Sequence, residues 1–339
     1  MKSSVQQYDY NSCNRLQEYL KPVAKLEMGA LVKIAVLGAG AMGSLFGGYL
    51  TIANDVFLID IHEELVTHIS QHGVKIREKD NSESIYKPNA YLDCSNLPVM
   101  DLVIVFVKSM FTISAIERNQ RIISNNTYLM TLQNGAGHEK NLLRFTDAEH
   151  VIIGSTQHNS SILSLGCIHH GGSGKTAIGS LGGNCQDITD IAENFSQCGF
   201  ETSVSANIQK QIWSKLFLNT SSSSLTAIFQ VPLGIVLENQ NLCYLMEKLA
   251  HEAVAVANGS GLDFCYDEVI EDIKSVIQNS KQAYTSIYSD LKNGRKTEVD
   301  TISGSVVDSA KQLGIEVPNH VFVVQAIHAM ETLYNRREN

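Results

Sequence analysis

Lys215 stands four residues before Asn219 and eight before Ser223. On a helix this spacing puts all three on one face. The residues between Lys215 and Asn219 are apolar. A lysine embedded in an apolar helix can lose hydration at its head, which lowers its pKa into the range useful for a proton donor. A lysine there can equally snorkel and cover apolar surface with its stem. The serines at 221–224 are poor helix formers. Their small side chains allow a ring or a second helix to approach closely. Further on, Glu298 and Asp300 follow Thr297 at the start of another apolar-periodic stretch. Thr297 suits an N-cap there, and the two acids suit the positive end of the helix dipole. Ser286, in SIYSDLKNGR, carries no signal by itself.

A second chemical stretch is VKIAVLGAGAMG at 32–43. It predicts a buried strand at 33–37 that runs into a turn, with Gly38, Gly40 and Gly43 at G-x-G-x-x-G spacing and Ala39, Ala41 and Met42 between them. Gly38 permits the tight turn, Gly40 lets backbone approach a pyrophosphate, and Gly43 lets helix and strand pack closely. A helix over 44–51 would offer its free N–H groups to the phosphates. The chemistry implied is dinucleotide binding. Asp60 ends the next apolar run, DVFLID, twenty residues beyond Gly40. An acid at that position accepts hydrogen bonds from the adenosine ribose and repels a 2′-phosphate. No Lys or Arg lies between Asp60 and Lys75 to bind such a phosphate. The expected cofactor is therefore NADH.

These residues need a parallel sheet to position them. The run DLVIVFV at 101–107 reads as a central strand covered on both faces. It ends at Lys108, which either faces the ligand crevice or simply opens the next helix. A strand at 126–132 leads into Gln133-Asn134-Gly135, which is a turn signal. Asn134 there can hold a nicotinamide or a substrate oxygen. Further strands are expected at 55–60, 73–77, 85–92, 151–156 and 201–204, with helices at 62–72 and 188–197. Strands at 162–169 and 175–179 are expected to form a hairpin about 171–174. His158, His169 and His170 read as strand and loop residues without metal-ligand spacing. From 207 onward the pattern is helical, over 207–228, 237–258, 265–292, 299–313 and 320–335. The expected fold is an α/β Rossmann-type domain at 32–206 followed by an all-α domain at 207–339.

The 339 residues suffice for two such domains. A net charge of −9 gives no sign of a nucleic-acid surface. The seven scattered cysteines form no C-x-x-C pair, which suits a reducing cytoplasm and argues against disulfides or zinc. No metal is expected, and no apolar run is long enough to span a membrane. The segment 1–31 has no apolar core of a secretory signal. It reads as a frayed tail, a short helix at 13–20, or the product of a start upstream of Met28.

Taken together the motifs resemble the ketopantoate reductase (2-dehydropantoate 2-reductase) family from about residue 33 to 334. KIAVLGAGAMG, the strand ending at Lys108, LQNGAG, WSKLFLN…LTAI, RKTEVD and GIEVPNH occur in the family's order. The resemblance implies a fold like that of 6-phosphogluconate dehydrogenase, with the site in a cleft between the domains. It implies hydride transfer from a nicotinamide cofactor to the ketone of a small 2-oxo acid, with Lys215 as general acid. Glu298, Asn134, Lys108 and, more weakly, Ser160 match cofactor-side positions. Asn134, Asn219 and Ser286 match substrate-side ones. NADPH is the family's alternative cofactor, and family members often dimerise. Two departures bear on the substrate. Ser223 stands where the family usually has an asparagine, and Leu233 replaces another just after Pro232. Both leave room for a more apolar, branched 2-oxo acid, as in NADH-dependent D-2-hydroxyacid dehydrogenases of the same superfamily. A non-catalytic dinucleotide sensor is the reading from another functional class.

Overall fold

The computed structural model describes residues 32–182 and 185–334. The expectations for the first 31 residues lie outside them. Among the described residues there are twelve strands: β1 (Val32–Leu37), β2 (Asn54–Ile59), β3 (Val74–Glu78), β4 (Glu83–Tyr86), β5 (Asn89–Tyr91), β6 (Leu102–Val105), β7 (Tyr128–Thr131), β8 (Val151–Thr156), β9 (Asn159–Ser164), β10 (Cys167–Gly172), β11 (Thr176–Ser180) and β12 (Thr202–Val204).

Eight of them form one sheet in the order β5-β2-β1-β6-β7-β8-β11-β12. Strands β5 to β8 are mutually parallel, and β11 runs antiparallel to β8. Val36 is flanked in register by Leu58 and Ile104. The strand order reverses between β1 and β6, so the ligand crevice of such a sheet opens beyond Leu37 and Val105. The branched apolar strands are buried on both faces, and separate apolar clusters cover the two sides.

A second, four-stranded sheet (β4-β3-β10-β9) departs from expectation. The sequence reading placed one strand at 162–169 and a hairpin turn at 171–174. The tight turn actually falls at Leu165-Gly166, where Gly166 has φ +64°, and β9 and β10 pair across it. Strand β11 belongs to the large sheet instead. The stretch 85–92 is likewise split between the two sheets, as β4 and β5. The helix Ala41–Tyr49 lies between the sheets, which explains why it has no polar face: residues 43–48 are all buried. Gly47 and Gly48 make this possible. A Cβ on Gly47 would press on Leu58 of one sheet, and a Cβ on Gly48 on Ile76 and Tyr86 of the other.

The helical half begins at Ile208, three residues beyond Ser205. Its core gathers Phe217, Met246, Leu249, Ile273 and Ile327 around the long helix Gln240–Gly259. Three expectations are corrected here. The helix expected at 207–228 is interrupted by a π-helical turn, Asn219–Ser223, where the serines sit. The stretch 265–292 breaks into Tyr266–Asn279 and Ser286–Lys292. The helix expected from 299 begins at Ser303, so Thr297 is not its N-cap. Thr297 is buried, and its N–H and hydroxyl both donate to Glu331 Oε1, at 2.8 and 2.7 Å.

Candidate active site at the carboxyl end of the sheet

The glycine loop is built as its spacing requires. Gly38 has φ +99°, and a Cβ on it would strike the Val107 nitrogen at 2.9 Å. A Cβ on Gly43 would lie 1.8 Å from the Gly38 carbonyl oxygen, so helix and turn touch there. Gly40 caps the helix, and a Cβ placed on it would meet nothing within 4 Å. Its open side leaves room for an anion against the free N–H groups of the first helical turn. Asp60 has a second task as well. Its Oδ2 accepts from the Ala39 N–H at 2.6 Å and its Oδ1 from the His62 N–H at 2.9 Å. The acid thus ties the strand end to the glycine loop.

Beyond the loop lies a cavity of about 140 Å³. Met42, Phe106, Val107 and Lys108 line it from the glycine loop and the end of β6. Asn134, Thr156 and His158 line it from the ends of β7 and β8, and Lys215 and Glu298 come from the helical half. Lys215 Nζ donates to Asn134 Oδ1 at 2.9 Å and to the Thr156 carbonyl at 2.8 Å. The residue is partly buried, and it lines the pocket. Burial pushes its pKa down to about 8, against the opposing pull of the Glu298 charge. Glu298 Oε1 is held by the Ser109 N–H at 3.0 Å. Four residues picked out in the sequence, Lys108, Asn134, Lys215 and Glu298, therefore meet in one pocket. A desolvated ammonium with two fixed acceptors beside a dinucleotide loop is equipped to stabilise and protonate a developing alkoxide.

Lys108 does face the crevice, and it is also engaged. Its Nζ pairs with Asp290 Oδ2 at 2.7 Å and donates to the Lys296 carbonyl at 2.9 Å. Asp290 escaped the sequence reading because the sequence offers only a lone acid on a short helix. Thr156 and His158 escaped for a similar reason: the strand end brings them to Lys215 only through tertiary structure. The loop at 133–137 is bound to the helical half through the Ala136 N–H, which donates to the Thr301 carbonyl at 3.1 Å. Gly135 at φ +103° has no room for a side chain against that same carbonyl.

The other substrate-side candidates do not line this cavity. Asn219 opens the π turn and is partly buried. Ser223 is buried, and its carbonyl accepts from Thr226 Oγ1 and Thr285 Oγ1. Ser286 is exposed at the start of its helix, next to Thr285. Leu233 is built into the helical core. Ser160 sits on β9 opposite His170, with an enclosed, unpartnered Oγ. The Asn219 N–H still reaches the Lys215 carbonyl, so these two share a helix face as their spacing implies; the π turn that starts at Asn219 breaks the α-helical spacing between Lys215 and Ser223. Among the described residues, no group of three or more His, Cys, Asp or Glu is placed to hold a metal, and no helix is long and apolar enough to cross a membrane.

Comparison with known proteins agrees with this architecture. The family model of ketopantoate reductase PanE/ApbA matches residues 34–183, and that of its C-terminal part matches residues 207–331. A 2-dehydropantoate 2-reductase of Halobacterium salinarum is 31% identical over 289 residues, which span 85% of this chain and 95% of that protein. Another, of Pyrococcus abyssi, is 29% identical over 90% of this chain and all of that protein. Among solved structures, D-mandelate dehydrogenase with NADH and anilino(oxo)acetate superposes with a TM-score of 0.84 at 30% identity, covering 89% of this chain and 99% of that one. A PanE/ApbA family ketopantoate reductase from Ralstonia eutropha gives 0.82 at 26% identity, again over 89% and 99%. With both parts matched in order around the lysine pocket, the chain belongs to the ketopantoate reductase PanE/ApbA family.

Proposed function

We propose that this chain reduces the ketone of a small 2-oxo acid to the D-2-hydroxy acid, (R)-pantoate or a close relative, with Lys215 as the proton donor. One observation carries the reading. The Lys215 ammonium, with a pKa of about 8, is fixed by Asn134 and Thr156 at the crevice where the dinucleotide loop ends. The reduced nicotinamide, when bound, supplies the hydride. Gly38, Gly40 and Gly43 seat the pyrophosphate and Asp60 the ribose. Asn134 holds Lys215 in place and presents its amide to the reacting centre. Lys215 first stabilises the charge growing on the ketone oxygen and then gives that oxygen a proton, leaving a neutral amine that solvent reprotonates. Glu298 keeps the ammonium form available at neutral pH.

Two features favour a less polar substrate than ketopantoate and NADH over NADPH. Ser223 and Leu233 supply no amide for a second substrate hydroxyl, and Asp60 places a negative charge where a 2′-phosphate would sit. D-mandelate dehydrogenase, a structural relative studied with NADH, fits that second reading. Steady-state rates with ketopantoate, 2-oxoisovalerate and benzoylformate, each with NADH and NADPH, discriminate the two. Lys215→Ala should lower kcat by ~10²-fold or more with little change in cofactor affinity. An unchanged kcat would remove Lys215 from the mechanism. Cofactor binding without turnover of any 2-oxo acid would leave the sensor reading standing.

A further inference from the structure

His158 stands in the wall of the lysine pocket and is 7% exposed. Its Nδ1 lies 3.0 Å from His170 Nε2, and His170 Nδ1 lies 2.8 Å from Glu78 Oε2. Tyr49 donates its hydroxyl proton to the other Glu78 oxygen at 2.5 Å. Burial and then the Glu78 charge hold that phenol well above its ordinary pKa, so it remains a donor. At the inner end of this chain, His158 Nε2 is enclosed and has no partner.

With both rings neutral, Glu78 accepts from His170 Nδ1, and His170 Nε2 carries a lone pair. His158 must then donate from Nδ1, which leaves a lone pair on Nε2. One ring nitrogen's hydrogen bond sets the tautomer of the other. Burial, and then the neighbouring His170, push the His158 pKa down, consistent with a neutral ring. A buried acceptor without a donor is costly, and the cost is removed when a ligand brings an N–H or O–H. The reacting end of a 2-oxo acid anion offers only acceptors. The nicotinamide ring carries a carboxamide with N–H donors, and the pocket adjoins Met42 of the glycine loop, where that ring must enter.

We propose that His158 Nε2 accepts a hydrogen bond from the carboxamide N–H of the nicotinamide. The bond fixes the ring's rotation and hence the face that meets the substrate. His170 and Glu78 act through His158 as positioning residues that hold its tautomer. The inference rests on the reductase reading above, since it needs a nicotinamide in this pocket.

The test compares NADH with its reduced 3-acetylpyridine analogue, in which a methyl group replaces the amide nitrogen. Binding to the full chain is measured by quenching of reduced-cofactor fluorescence, without substrate. The unaltered protein should hold NADH about fivefold or more tightly than the analogue, the size of one ordinary hydrogen bond. His158→Phe should weaken NADH alone and bring the ratio within about twofold, and His158→Gln, which restores an acceptor, should reopen it. Glu78→Gln, at the partly buried outer end of the chain, releases the tautomers without altering the pocket wall and should also narrow the ratio. An equal preference in the unaltered protein and in both His158→Phe and Glu78→Gln overturns the proposal, as does equal weakening of both cofactors. Failure of the reductase reading looks different: NADH then binds with the expected ratio, but no 2-oxo acid is turned over.

Discussion

At the residue scale the proposed chemistry reduces to one proton. Lys215 must be charged to stabilise and protonate an alkoxide, and burial brings its pKa to about 8. For reduction, kcat/KM should therefore be level below pH 8 and fall about tenfold per unit above it. For oxidation of the hydroxy acid the neutral amine is the useful form, so the limb should rise through the same pH. Lys215→Arg separates charge from proton donation. Arginine stays protonated throughout this range, so the alkaline limb should vanish while a slow residual rate persists. A limb that survives in Lys215→Arg would assign the proton to another group. The sign for stability is separate. The folded pKa lies below the unfolded value, so the unfolded chain binds more protons between pH 8 and 10.5. Lys215 therefore costs stability below pH 8 and the cost is relieved as pH rises. In the proposed function Asp60 selects the cofactor. Asp60→Asn keeps an acceptor for the Ala39 N–H and removes the charge facing a 2′-phosphate. The ratio of kcat/KM for NADH over NADPH should narrow by about tenfold, or ~1.4 kcal/mol. A native preference for NADPH would sink this account of Asp60.

At the scale of elements, Gly43 and Gly40 part company. A Cβ on Gly43 would collide with the Gly38 carbonyl, which is backbone and cannot swing away. Gly43→Ala should lower the melting temperature and abolish dinucleotide binding together. At Gly40 the space is open, so Gly40→Ala should fold with an unchanged melting temperature and lose affinity only through the phosphate it meets. Thermal melts with and without NADH distinguish the two patterns. The same contrast explains what was legible in the sequence. The central strands are doubly covered, so LVIV and the VII that opens β8 appear as unbroken apolar runs with little ambiguity. The small sheet is exposed along β9, whose apolar Ile162 and Leu163 face solvent. Its pattern therefore resembled a hairpin with whatever strand came next. The π turn was signalled only as a cost, four serines in a helix, because an extra residue in a turn leaves the hydrophobic rhythm on either side intact. Lys215 was legible because apolar neighbours surround it in sequence, whereas Thr156 and His158 reach the pocket, and Asp290 its rim at Lys108, only through tertiary structure.

Across the whole molecule, the pocket exists because two halves of the chain are bonded at its rim. Lys108 of the sheet half pairs with Asp290 of the helical half, the Ser109 N–H holds Glu298, and the Ala136 N–H holds Thr301. Lys108 is one-third exposed and Asp290 one-tenth, so the pair is neither a screened surface bridge nor a fully desolvated one. Removing its negative partner should cost ~1–3 kcal/mol, between the surface and buried limits. Asp290 also accepts from Arg295, at the head of the segment 295–298 that delivers Glu298. Asp290→Asn should therefore act on the site as well as on stability. Lys108 keeps its bond to the Lys296 carbonyl, but the segment is less firmly held. The expected result is a melting temperature lower by a few degrees, a several-fold rise in the KM for cofactor and a smaller fall in kcat. Lys215 keeps Asn134 and Thr156 in this variant, so the alkaline limb near pH 8 should stay in place. A fall in kcat equal to that of Lys215→Ala, with the limb displaced, would mean that the rim pair belongs to the proton-donating machinery rather than to the clamp that assembles it.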